Sequence, residues 1–158
     1  MYRMIVRRIV RSAFAALSRG ELSMLDQMSV DVHHSFPSDG ALGGERHTRA
    51  DLAAWFHRLH RLLPGLQFQV HAIAVDGWPW DTTIGVEWTD TAVLLDGGPY
   101  TNNGAHILRM RWGKIISLHA YVHDVAVIDD ALARVAATGV DEATAPPIVT
   151  APTVVGAR

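Results

Sequence analysis

The stretch HAYVHD, residues 119 to 124, places two histidines, a tyrosine and an aspartate in six positions. An imidazole near a carboxylate can move a proton, and two imidazoles can chelate a metal, so the segment could serve either chemistry. Spacing tests the metal first. On a strand, at about 3.3 Å per residue, His119 and His123 would stand about 13 Å apart, too far to share an ion. His33 and His34 point to opposite sides of one strand. His57 and His60 follow a helical spacing, but Arg58 and Arg61 flank them and no HExxH-type carboxylate accompanies them. No spacing within an element chelates an ion, so no metal is expected. The absence of cysteine excludes thiolate ligands, disulfides and thiol nucleophiles.

Acid–base chemistry depends on which polar side chains share a face. If Trp112-Gly113 or Gly113-Lys114 forms a two-residue hairpin turn, even positions before it face the same side as odd positions after it. That groups Asn102 and His106 with His119, Tyr121 and His123, while Leu108, Met110 and Ile115 lie nearer the turn. The gradient suits a pocket with an apolar apex and a polar mouth. Strict alternation leaves Asp124 on the other side, and one residue absorbed in a β-bulge would turn it inward. Turned inward, Asp124 would act as general base or orient His106 as one, with Tyr121 beside them. Left outward, it is the acid that ends the strand.

These residues need elements to carry them. A first helix is expected from about Met4 to Ser18, with Ile5, Ile9, Ala13 and Leu17 at helical spacing, flanked by Val6, Val10 and Phe14. Gly20 closes it, and a short second helix follows around Leu22 to Met28. VDVHHSF reads as a strand stopped by Pro37, and SDGALGGERH as a glycine-rich loop without phosphate-binding spacing. Thr48 with Asp51 forms a capping box for a helix whose apolar face runs from Leu52 through Trp55 and Phe56 to Leu63. From there the period changes to two. Four strand candidates follow, joined at Gly77, Gly97-Gly98 and Gly113, before a last helix from Asp129 to Ala137. Helices first and antiparallel strands afterwards make an α+β fold, with a curved sheet around the helices.

At 158 residues, with 19% charged residues and a formal net charge of -2, the chain reads as one globular domain at 1–145 with a tail at 146–158. That balance calls for no nucleic acid. Arg7, Arg8 and Arg11 interrupt any leader-like apolar run, and no run is long enough to span a bilayer, so a cytoplasmic protein without a membrane partner is expected. Segments such as AVLL and KIISL are apolar on both sides of their strands, which anticipates a homodimer through the outer face of the sheet.

The spacing across Ser12 to Met28, the strand end His34-Ser35-Phe36-Pro37, Gly44 ahead of the long helix, and AHILRMRWGKIISLHAYVHD together carry a resemblance. The chain resembles the nuclear transport factor 2-like superfamily, most closely its SnoaL-like branch of polyketide-cyclase relatives, over about Arg11 to Ile148. The resemblance implies a cone-shaped, mixed but mostly antiparallel sheet wrapped around N-terminal helices, holding an apolar small molecule without a cofactor. In such cyclases a last-strand aspartate acts as acid and base on a carbon acid, a role that would fall to Asp124, with His106 and Tyr121 as companions. The limonene epoxide hydrolase relatives carry an Arg-x-Asp motif, and the matching stretch here is Trp88-Thr89-Asp90, without the arginine. His34, Trp55, Trp88, Asp90 and Asn102 are the expected ligand contacts. The implied function is an isomerase, cyclase or lyase acting on a polyketide- or steroid-like substrate. The alternatives are a binding protein for an apolar ligand and a dimerising module without catalysis.

Overall fold

The period-two segments form one six-stranded sheet in a computed structural model that describes residues 1–150. In chain order the elements are helix α1 (Tyr2–Ser18), a 3-10 turn (Ser23–Gln27), strands β1 (Met28–Phe36) and β2 (Gly44–Arg46), and helix α2 (Arg49–Leu62). Strands β3 (Gln67–Trp78), β4 (Asp81–Val93), β5 (Pro99–Arg111) and β6 (Lys114–Val122) follow, then helix α3 (Val125–Ala137) and a 3-10 turn (Asp141–Thr144). The strand order is β2-β1-β6-β5-β4-β3. Among the described residues only β1 and β6 run parallel; the other neighbours are antiparallel.

Burial explains the curvature. Along β4 the even positions from Thr82 to Ala92 are all buried, so one face of the sheet turns inward onto the helices. On α2, Leu52, Trp55, Phe56, Leu59 and Leu62 fill that concavity, and the Thr48 hydroxyl accepts a hydrogen bond from the Asp51 amide at 3.0 Å to start the helix. On α1 the buried stripe is Val6, Val10, Phe14 and Leu17, whereas Ile5 and Ile9 stay exposed. The sequence expectation had centred the stripe on Ile5 and Ile9, one residue off.

Three further local differences matter for function. The glycine-rich loop contains a short strand, β2, which pairs with β1 so that His34 faces Arg46 and Ser35 faces Glu45. Helix α3 begins at Val125 because the Asp124 carboxylate accepts a hydrogen bond from the Ala126 amide at 2.9 Å. The hairpin between β5 and β6 turns at Trp112-Gly113, both with positive φ, and pairs Met110 with Ile115 as the alternation required. One step later Arg109 pairs with Ser117, so Ile116 is an extra residue. That bulge reverses the parity of everything after it.

The expected tail at 146–158 is described only to Thr150. Its first residues dock on the β2 edge and on α2, where the Pro146 carbonyl accepts from Arg58 at 2.8 Å and the Thr150 amide donates to the Glu45 carbonyl at 3.3 Å. The segment TVVGAR, anticipated as a cover for the sheet, lies outside the described residues. Among the described residues, no helix is long and apolar enough to cross a membrane.

Candidate active site

The concave face of the sheet and the helices enclose a cavity of about 270 Å³. Its walls are almost wholly apolar, from Val10 and Phe14 on α1, Phe56 and Leu59 on α2, and Ile84 and Leu108 on the sheet. Ile5 and Ile9, exposed at 52% and 55%, line it near Pro79 and Gly113 at the hairpin tips. Tyr2 and Gln27 line it as well, and the polar groups that the sheet contributes, Asp90, Tyr100 and His106, lie along β4 and β5 away from those tips.

The departure from the expected inward set begins at Ile116. With parity switched, Leu118 and Ala120 turn inward, and His119 and Tyr121 turn outward. Tyr121, expected opposite His106, is 59% exposed on the convex face and pairs with Ala105; the position across from His106 is Ala120. Asp124 does not reach the cavity either. The bulge at Ile116 gives even positions the inward parity expected for Asp124, but β6 ends at Val122. Asp124 is exposed and spends a carboxylate oxygen on capping α3, so the catalytic trio Asp124–His106–Tyr121 does not assemble.

His106 does line the cavity, together with Trp88, Asp90 and Trp55. The Trp55 indole donates to the Leu42 carbonyl at 2.7 Å, which fixes its ring in the wall. His34 and Asn102 are buried but are not part of the lining. His34 packs behind it against Trp55, at 4.5 Å between ring centroids, and neither ring nitrogen finds a partner among the described residues. Burial holds His34 neutral, well below the usual imidazole range, with the Arg46 charge adding to the effect. Asn102 donates to the backbone carbonyl of Asp124 at 2.9 Å, joining the end of β6 to β5.

Two polar groups face the apolar space. The first is Asp90, only 6% exposed, whose Oδ2 accepts from the Tyr100 hydroxyl at 3.2 Å while Oδ1 has no partner among the described residues. Burial disfavours the carboxylate and pushes this acid up to about 7, against the smaller opposing effect of the Tyr100 hydrogen bond. Tyr100 in turn is held protonated by its own burial and by the adjacent Asp90 charge. The sequence reading missed Tyr100, although it shares the parity of Asn102 and His106 on one strand.

The second group is His106. Its Nδ1 accepts from the Trp88 indole N–H at 2.7 Å. An indole can only donate, so Nδ1 carries no proton and the neutral ring holds its proton on Nε2. Burial lowers the imidazole to about 4, so it stays neutral through physiological pH. Trp88 occupies the position where an arginine was missing from the Arg-x-Asp pattern. It supplies a neutral donor instead of a cation. Gly104, its cross-strand partner, makes room for it: a Cβ there would come within 2.7 Å of the indole and 2.6 Å of the Tyr121 carbonyl. A protonatable acid with an oxygen unpartnered among the described residues and a neutral N–H donor thus line one largely apolar cavity.

A SnoaL-like domain matches residues 10–118 of the chain. Solved structures share the fold at low identity. PrhC from Penicillium brasilianum NBRC 6234 superposes with a TM-score of 0.73 at 14% identity, over 91% of this chain and 96% of that one. A nuclear transport factor 2-like protein of unknown function from Burkholderia pseudomallei K96243 gives 0.68 at 20% identity, over 79% and 95%. TerC, co-crystallized with polyporic acid, gives 0.61 at 16% identity, over 77% and 93%. Among curated proteins, none matches the sequence. The fold is therefore the α+β cone of the nuclear transport factor 2-like proteins.

Proposed function

This chain belongs to the SnoaL-like domain family, and from that premise we propose that it binds an apolar small molecule in the cavity and moves a proton on it through Asp90. The observation that carries this reading is the buried Asp90 carboxyl, poised at about 7 with an unpartnered oxygen on an apolar wall. Near neutral pH such a group exists in both protonation states, as a general acid and base must. As carboxylate it takes a proton from a carbon next to a carbonyl. The Nε2–H of neutral His106 stands about 13 Å along β5 from Asn102, the cross-strand partner of Asp90, where it would hold a second polar group of an extended substrate without bringing a charge into the cavity. Tyr100 steadies the carboxylate through its hydroxyl.

Returning the proton to another carbon isomerises the substrate; attack of the enolate on a second carbonyl cyclises it; loss of a β-substituent makes a lyase. The apolar walls and the aromatic rings of Trp55, Phe56 and Trp88 favour a flat polyketide- or steroid-like molecule. The co-crystallization of TerC, a protein of the same fold, with polyporic acid supports a small-molecule ligand. The nearly unbroken apolar lining favours, as a second reading, a carrier of such a molecule without chemistry. The same proposal includes a homodimer through the convex face, where Ile107 and Tyr121 stand exposed on β5 and β6.

Deuterium incorporation separates catalyst from carrier. An apolar enolisable ketone bound by the protein in D2O should exchange its α-hydrogens, and Asp90→Asn should abolish the exchange while retaining affinity. Exchange that persists in Asp90→Asn rejects Asp90 as the base. Binding without exchange in the wild type leaves the carrier.

A further inference from the structure

The convex face of the sheet carries a second cluster, built from three strands and unrelated to the cavity. Register brings it together. His34 pairs with Arg46 and Ser35 with Glu45, and His33 and His47 follow one step beyond the last ladder pair, stacked on each other, with Glu45 on the same outward side. His33 Nε2 lies 2.9 Å from Glu45 Oε2, and His47 Nε2 lies 3.6 Å from the same oxygen. One ligand atom from each of the three falls within 4.8 Å of the others. His119, on β6 beside Ser35, meets the His33 ring edge-on at 4.6 Å between centroids and holds its Nδ1 to the Ser35 hydroxyl at 2.6 Å.

We propose that His33, Glu45 and His47 form a surface site for a divalent transition-metal ion of the zinc class. Two imidazoles and one carboxylate are a zinc donor set, and water completes the tetrahedron. Bonds of about 2.0–2.2 Å at tetrahedral angles place neighbouring donors about 3.3 Å apart, between the two distances to Glu45. The protonation balances simply. In the metal-free cluster His33 and Glu45 share a hydrogen bond; the ion takes the His33 Nε2 lone pair, and the ring proton moves to Nδ1. The His33 and His47 rings are stacked, 4.3 Å apart and 16° from parallel, so their lone pairs run side by side. Closing on one ion requires the two rings to splay, which exposed side chains do by rotating about their own bonds. The ion would clamp β2, a strand of only three residues, to β1. The expectation of no metal rested on spacings within single elements, and these ligands come from β1, from β2 and from the residue just after β2.

The test uses the full chain stripped with chelator and titrated with Zn2+ in a calorimeter. One ion per chain is expected, with affinity reduced about tenfold or more in each of His33→Ala, Glu45→Gln and His47→Ala. The helical pair His57 and His60 is the control, and His57→Ala should bind as the wild type does. All these side chains except His60 sit at the surface, so the variants should fold, and thermal melting without metal checks that they do. Absence of binding, or binding that survives the double variant His33→Ala/His47→Ala, overturns the site. So does binding lost in His57→Ala alone.

Discussion

At the scale of residues, the proposed function rests on one buried acid whose titration is set by its surroundings. Asp90 moves from 3.8 to about 7 because burial penalises its charge. Between those two values the folded protein keeps a proton that the unfolded chain has lost, so stability falls as pH rises through the window. The full cost, on the order of 4 kcal/mol, is reached above about pH 7. Asp90→Asn carries no such charge. Its stability should match the wild type near pH 4 and exceed it increasingly up to about pH 7, with a constant gain beyond. Urea denaturation at several pH values measures this directly, and a gain independent of pH would mean that Asp90 is ionised at ordinary pH. His106 acts with the opposite sign. Lowered to about 4, it makes the protein less stable as pH falls below the usual imidazole range, in wild type and variant alike.

Elements decide which residues reach the cavity, and here sequence and structure part at identifiable points. The α2 capping box, the change of period after Gly65 and the Trp112-Gly113 turn could all be read because each has a local chemical signature. From these the α+β cone followed, as did an inward His106, whereas Trp88 and Asp90 were legible only through the Arg-x-Asp resemblance. The bulge at Ile116 has no such signature. It moved Tyr121 and His119 to the convex face and, with them, the expected catalytic group. Asp124 offered a missed signal: it precedes Ile128, Ala131, Leu132 and Val135, a helical stripe that it caps. Asp124→Ala should therefore cost about 1 kcal/mol of stability, the usual value of an N-cap, and leave proton exchange on a bound ketone unchanged. Loss of exchange in a folded Asp124→Ala protein would restore its chemical role. The β4–β5 pair makes a sharper demand. Gly104→Ala sets a methyl against the Trp88 indole, and displacing that ring should cost about 1–3 kcal/mol and release the Nδ1 of His106. Imidazole nitrogen NMR reads the second effect, and an unchanged His106 spectrum would show that Trp88 does not fix the tautomer.

For the molecule as a whole, the sheet separates two surfaces with different work. The concave side holds the apolar cavity, and the convex side carries exposed Ile107 and Tyr121 near its centre and the histidine cluster at the β2 edge. A homodimer through the convex side should persist in sedimentation at tens of micromolar, a range chosen for an obligate interface. Monomer alone at that concentration counts against it. The cavity's character is also a property of the whole, because helices and sheet must both exclude water to keep Asp90 protonated near neutrality. The most direct measurement follows the carboxyl carbon of Asp90 by 13C NMR through a pH titration, with and without an apolar ligand. The expected midpoint is near pH 7 and rises further when the ligand displaces the remaining water. A midpoint near the ordinary carboxyl value of about 3.9, unmoved by ligand, would contradict a cavity acid poised for proton transfer.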